Sequence, residues 1–311
     1  AFRTPIGSFM GSLSEIKATD LGSIVIKKCL EHSKLKSNEV DLCFLGQVLQ
    51  AGSGQNPARQ AAITAGVDKE KASTTINQVC GSGLAAISLG YNSIKLNDAN
   101  IVIAGGQENM SLSPHYLNFR KDKEISEQKL QDTMLIDGLI DSYNQYHMGI
   151  TAENVAKKYN ITRKEQQEFA LSSHQKASEA QSKGNFNNEI TVIGNCSKDS
   201  NIRPNSNQET LDGLKLAFDQ NGTVTAATSS PLTDGAAATL ICEEQFAKDN
   251  NLEILARIVS TAVEGCAPEY MGLGPIGASK KALNRAKLST KEIDIVELNE
   301  AFASQSLACI K

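Results

Sequence analysis

Asn77-Gln78-Val79-Cys80-Gly81-Ser82-Gly83-Leu84-Ala85-Ala86 is the stretch on which the reading of this chain turns. It closes an extended run from Thr74 to Val79. It opens a helical pattern from Leu84 to Lys95, with apolar residues at Leu84, Ile87, Leu89 and Ile94. A strand ends, a cysteine occupies the turn, two glycines follow, and a helix of small residues begins. The start of such a helix offers free N–H groups and partial positive charge. A thiolate there is stabilised, so the pattern predicts a lowered thiol pKa and a nucleophile at Cys80. The glycines permit a sharp turn and a close substrate approach.

The same alternation extends on both sides. Leu42 to Val48 reads as a strand, and Ile101-Val102-Ile103-Ala104, bounded by Gly105-Gly106, reads as a buried parallel strand. Alternation of this kind implies βαβ units in a layered α/β fold. An internal repeat supports it. Leu35-Lys36-Ser37-Asn38-Glu39-Val40-Asp41 matches Leu288-Ser289-Thr290-Lys291-Glu292-Ile293-Asp294. Each copy follows an amphipathic stretch and leads into an apolar run, Leu42 to Leu45 in the first and Ile295 to Leu298 in the second, so each reads helix, polar turn, strand. Residues 110–232 are more polar and rich in loops, with charge clusters such as Arg120-Lys121-Asp122-Lys123-Glu124. Within them Thr162-Arg163-Lys164-Glu165 is a capping box that opens a helix running to about Ser182. A strand is expected again at Ala238 to Cys242. The expected organisation is an N-terminal α/β half (1–109), a loop domain (110–232) and a C-terminal α/β half (233–311).

Composition narrows the function. A formal net charge of -4 argues against a general nucleic-acid binder, which would carry a basic stripe. No apolar run approaches the length of a membrane span. The odd cysteine count, seven, and the lack of C-x-x-C spacing argue against a disulfide framework or a zinc site, so reduced thiols in the cytoplasm are expected. Most of the other cysteines should be small buried hydrophobes.

The motifs resemble the thiolase family, in order and from end to end. Asn77 to Leu84 looks like its nucleophile motif and Arg3-Thr4-Pro5-Ile6-Gly7 like its N-terminal signature. Gln55 to Gln60, Ala104-Gly105-Gly106 with Glu108-Asn109-Met110, His147-Met148-Gly149 with Thr151-Ala152-Glu153-Asn154, and Asn299-Glu300-Ala301-Phe302-Ala303 follow in family order. The resemblance implies a thiolase fold, with two duplicated βαβαβ-type halves in an α-β-α-β-α layering plus the inserted loop domain. It implies that Cys80 accepts an acyl group and that Asn299 holds a water in an oxyanion hole. His147, Met148 and Met271 would shape the acyl pocket, with Ala301 and Phe302 beside Asn299. Arg203, Phe218, Ala226, Ser230 and Leu139 would line the coenzyme A groove. The substrates would be acetyl-CoA and acetoacetyl-CoA, with no metal or other cofactor and no nucleic-acid or membrane partner. A homodimer or homotetramer would be the assembly.

The sequence departs from the family in two places. A catalytic His in Gly-His-Pro and a second Cys in Cys-x-Gly-Gly are expected, yet none of His32, His115, His147 and His174 precedes Pro, and Cys309 is followed by Ile310-Lys311. At the repeat offset the Cys80 turn of the second half would recur past Lys311, so an incomplete chain is expected, with the full reaction belonging to a longer protein. The expected activity is acetyl-CoA C-acetyltransferase, by a ping-pong route. A longer-chain ketoacyl-CoA thiolase, a related condensing enzyme and an inactive CoA-binding protein remain alternatives.

Overall fold

A computed structural model describes residues 1–118 and 129–311, which leaves the Arg120 to Glu124 charge cluster outside the described residues. Two compact units are present. One comprises residues 1–138, 186–201 and 232–257; the other comprises residues 139–185, 202–231 and 258–311.

The first unit is built on a six-stranded sheet. Its strands are β1 (Phe2–Arg3), β2 (Gly7–Ser8), β3 (Leu42–Gly46), β4 (Ala72–Ile76), β5 (Ile101–Asn109) and β6 (Thr233–Cys242). They run in the order β1-β6-β5-β3-β4, with β2 also on β6. β3 pairs parallel with β4 and β5, as the alternating pattern predicts, through helices α1 (Ala18–Ser33), α2 (Pro57–Thr64) and α3 (Ser82–Lys95). β6 pairs antiparallel with β5 from Ile101↔Cys242 to Asn109↔Asp234. It starts five residues before the expected Ala238. Thr233-Asp234-Gly235 carries no apolar signal; pairing with β2 and with the far end of β5 makes it a strand.

Side-chain alternation divides the sheet into two covered faces. Cys43, Leu45, Ile101, Ile103, Ala236 and Ala238 pack against Leu21, Val25, Ile26 and Cys29 of α1 and Ala58, Ala61 and Ala62 of α2. α3 covers the other face: a Cβ at Gly90 would stand 3.0 Å from Val102 Cγ1. Burial of this kind stabilises by roughly 25 cal/mol per Å² of apolar surface.

Three local readings are corrected. β3 stops at Gly46 rather than Val48, because the Val48 and Leu49 N–H groups donate to the Glu108 carboxylate instead of continuing a ladder. The second copy of the repeat forms its helix, α6 (Gly274–Ala286), and its 3₁₀ turn at Thr290–Glu292, but no strand. Ile295 and Val296 are 79% and 76% exposed, so their backbone groups face solvent rather than a partner strand among the described residues. The turns agree in detail: Lys36 N–H donates to Glu39 and Ser289 N–H to Glu292. Finally, only Cys29 and Cys43 are buried, so the cysteines are not mostly core residues.

The second unit is helical, with α4 (Met148–Lys158), α5 (Arg163–Ser182), α6 and α7 (Ala303–Ile310). The Thr162 capping box forms as its sequence requires: the Thr162 side chain accepts from Glu165 N–H, and Glu165 accepts from Thr162 N–H. One core joins Val155, Ala156, Ile161 and Ala308. A second joins Ala152, Val224 and Phe302. Among the described residues, no helix is long and apolar enough to cross a membrane.

Candidate active site

In the first unit, Cys80 stands on the turn between β4 and α3. The turn is tied by its own polar groups. Val79 N–H donates to Asn77 Oδ1 at 3.0 Å, Gln78 N–H to Ser82 Oγ at 2.8 Å, and Ser82 Oγ to the Val79 carbonyl at 2.6 Å. Val79 adopts φ 47°, a left-handed backbone that a β-branched residue rarely accepts. Strain of this kind costs about 1–3 kcal/mol and persists where neighbours over-determine it. Here Ser82, only 4% exposed, holds both sides of the turn.

Glycines seat this turn on the sheet. Gly46 and Gly106 are register partners on β3 and β5. A Cβ at Gly46 would lie 2.5 Å from Ser82 Cβ, and one at Gly106 would meet Gly83 Cα at 3.7 Å. The first turn of α3 therefore rests directly on backbone at the carboxyl ends of parallel strands, where ligands of open α/β sheets bind.

Cys80 is exposed, so its sulfur can be reached. Its thiol is nevertheless held above its usual range rather than below it, which corrects the expectation from the helix start. Lost solvation around the sulfur is the first cause, and the nearby negative charge of Glu108 adds to it. The Cys80 backbone N–H works in the opposite direction. Residue exposure and sulfur desolvation differ here. The residue is open to solvent while the poorly solvated sulfur keeps its proton. Cys80 also precedes the helix, which begins at Ser82, so the helix field reaches it weakly. The thiolate fraction then rises with pH, and alkylation of Cys80 by iodoacetamide should keep climbing between about pH 8 and 10 instead of levelling off near neutrality. A rate that saturates below about pH 8 would contradict this.

Glu108 is the unexpected titrating group beside Cys80. Burial pushes its carboxyl up to about 7, against the pull of the Val48 and Leu49 N–H groups. The sign follows from proton counting. Between the unfolded value near 4.5 and about 7, the folded chain holds a proton that the unfolded chain has lost, so stability falls as pH rises through this window. Relative to wild type, Glu108→Gln should remove about 2 kcal/mol of the decline between pH 5 and 8, measured by urea unfolding at both values.

The second unit brings together six of the residues expected to bind substrate. His147, Met148, Phe218, Met271, Ala301 and Phe302 pack around Ala152 and Val224. The His147 ring stacks on Phe218 at 4.7 Å and 22°, and Phe218 meets Phe302 edge-on at 6.0 Å. Gly149 makes room, since a Cβ there would overlap the Phe218 ring. His147 caps α4, its Nδ1 accepting from Gly149 N–H at 3.0 Å. Burial lowers its pKa, so the ring is neutral at neutral pH and Nε2 carries the remaining N–H. The loop before it is fixed by Asp141, whose carboxylate accepts from the N–H groups of Tyr143 and Asn144.

The other expected residues are placed separately. Ser230 N–H donates to the Ala301 carbonyl at 2.9 Å, and Ala226 opens the 3₁₀ turn that leads to it. Adjacent residues of α5 hold two more segments. Ser173 donates to Glu300, next to Asn299, and His174 Nδ1 accepts from Arg203 N–H at 3.3 Å. Asn299 and Arg203 are exposed. Leu139 is half-buried and belongs to neither apolar core of this unit. Sequence reasoning gave no role to Ser82, Glu108 or Glu153. Each stood within a quoted motif, but what it binds lies tens of residues away or in a turn not legible as strained.

Known proteins resemble this chain along its whole length. The pattern described as Thiolase, N-terminal domain matches residues 1–245, and Thiolase, C-terminal domain matches residues 252–311. An acetyl-CoA acetyltransferase of Cupriavidus necator is 51% identical, covering 99% of this chain and 81% of that protein. One of Rhizobium meliloti is 47% identical over 100% of this chain and 81% of its own length. The crystal structure of the Bacillus anthracis acetyl-CoA acetyltransferase superposes with a TM-score of 0.94 at 37% identity, covering 99% of this chain and 80% of that one. Family models that match residues 1–245 and 252–311, close relatives over nearly the whole chain and the superposed structure have one reading: the chain belongs to the thiolase family and has its fold.

Proposed function

We propose that this chain is an acetyl-CoA C-acetyltransferase that works through an acyl group on Cys80, condensing two acetyl-CoA to acetoacetyl-CoA and CoA or running the reverse thiolysis. The Cys80 sulfur attacks the thioester carbonyl carbon, the bond to the CoA sulfur breaks, and CoA leaves with the proton that Cys80 gives up. A second acetyl-CoA, deprotonated at its methyl group, attacks the acyl carbon. A carbon–carbon bond forms as the bond between the acyl carbon and the Cys80 sulfur breaks, and the Cys80 thiolate so released takes up the proton lost from the methyl group. The observation that carries this reading is the exposed Cys80 on a strained, serine-locked turn against glycine backbone.

The remaining roles follow from chemistry. The Cys80 backbone N–H helps stabilise a tetrahedral oxyanion, and such a donor is worth about 3 kcal/mol. Asn299 holds a water for the second oxyanion. His147 is neutral and can donate from Nε2. His147, Met148 and Met271 take the acyl end, and Arg203, Phe218, Ala226, Ser230 and Leu139 take the CoA portion. A raised Cys80 thiol needs a proton acceptor, and this sequence holds neither the Gly-His-Pro nor the Cys-x-Gly-Gly motif. The half-reaction onto Cys80 is therefore the decisive test. Mass spectrometry of the tryptic Cys80 peptide after exposure to acetyl-CoA should find it acetylated, faster at higher pH. An unmodified Cys80 beside an acetylated other cysteine would refute the assignment.

No metal or other cofactor is needed for these steps. The seven cysteines are free, which supports a reducing compartment such as the cytoplasm. Leu84 and Leu89 of α3 are 73% and 42% exposed, and β4 is an edge strand, which supports a homodimer or homotetramer. Light scattering would read the mass directly.

A further inference from the structure

Helix α4 presents two residues one turn apart, Gly149 and Glu153, to the same neighbouring segment. That segment is a hairpin running from Leu216 to Thr225, closed by a bridge between those two residues and by Ala217 N–H donating to the Val224 carbonyl at 3.0 Å. Phe218 lies on its outgoing arm and meets Gly149. Its returning arm meets Glu153.

Glu153 is only 9% exposed, and its carboxylate is given over to that arm. Its Oε1 accepts from Thr223 N–H at 2.9 Å and Val224 N–H at 2.8 Å. Its Oε2 accepts from Thr223 N–H at 2.9 Å and Thr223 Oγ at 3.0 Å. Gly222 is required beside it, because a Cβ there would overlap the carboxylate. The Thr223 hydroxyl in turn accepts from Gln166 Nε2 of α5 at 2.9 Å. Among the described residues no lysine, arginine or histidine forms an ion pair with Glu153. A buried carboxylate compensated by two backbone N–H groups and one hydroxyl, with no cation, fixes those groups in place, since each would otherwise be left without an acceptor.

We infer that Glu153 is a positioning residue for the acyl-CoA pocket, holding the 216–225 hairpin at one height on α4 and so setting the stacking of Phe218 on His147. The inference rests on the reading that this aromatic cluster receives the thioester. Glu153 touches no substrate; it acts through Phe218.

Glu153→Gln keeps the size of the side chain but offers one acceptor oxygen and points an amide N–H₂ at the remaining donors. The half-saturating acetyl-CoA concentration for acetylation of Cys80 should rise about tenfold, with the limiting rate within about threefold. Phe218→Ala alone should give a rise of similar size, and adding E153Q to F218A should add little, because both act on one contact. Thr223→Val, which removes the hydroxyl and leaves the backbone donors, should give a smaller rise with the same lack of additivity, and it serves if E153Q does not fold. Full additivity of either substitution with F218A would overturn the inference, as would an unchanged half-saturation in a folded variant. A wild-type chain unreactive toward acetyl-CoA would refute the acyl-CoA reading and this inference with it. A reactive wild type matched by E153Q refutes the inference alone.

Discussion

Replacing Cys80 by serine should lower acetyl transfer from acetyl-CoA to residue 80 by about 10⁴-fold or more, the scale of loss when an enzyme's nucleophile is removed. The hydroxyl is a far weaker nucleophile than the thiolate and carries its proton to much higher pH. The fold should not register the change. Cys80 is exposed, and the turn is held by Ser82 Oγ and the Asn77 side chain rather than by the sulfur. Stability by urea unfolding should stay within about 0.5 kcal/mol. Acetyl transfer is followed by mass spectrometry of the residue 80 peptide together with release of free CoA. If the serine variant released CoA at the wild-type rate, another group would be doing the chemistry.

Placing alanine at Gly105 should cost stability rather than chemistry, by about 3 kcal/mol or more. Gly105 lies mid-way along β5, between β3 and β6. A Cβ there would overlap the Ala237 carbonyl oxygen and stand 2.8 Å from Ala238 Cα. Both belong to backbone held in the β5–β6 ladder, so neither can rotate aside as a side-chain tip could. Relief requires the two central strands to separate, which breaks ladder hydrogen bonds that have no other partner. Gly138→Ala is the control, because its Cβ would meet only Leu49 Cδ2 at 3.5 Å. Urea midpoints should fall sharply for G105A and hardly at all for G138A. Equal midpoints would mean that the β5–β6 spacing yields.

What could be read beforehand was local. The helix after Cys80, the Thr162 capping box and the apolar run from Ile101 to Ala104 each carry their cause within a few residues, so pattern and propensity sufficed. The run expected to stay extended to Val79, by contrast, ends at Ile76, and Val79 turns left-handed. The motifs also carried family membership, because their order along the chain is itself a sequence property. The run Ile295 to Leu298 shows the limit. Its composition is that of a strand, but a strand exists only where another pairs with it, and among the described residues none does.

Sequence by itself determined the α/β alternation of the first 109 residues, the duplicated helix-and-turn segment and the thiolase resemblance. Only the tertiary structure decided that β6 closes onto β5, that the Cys80 thiol is raised rather than lowered, and that Glu108 and Glu153 spend their carboxylates on distant backbone. The division is physical. Propensity and turn chemistry act over a few residues, whereas strand pairing, desolvation and the satisfaction of buried polar groups depend on what the folded chain places alongside.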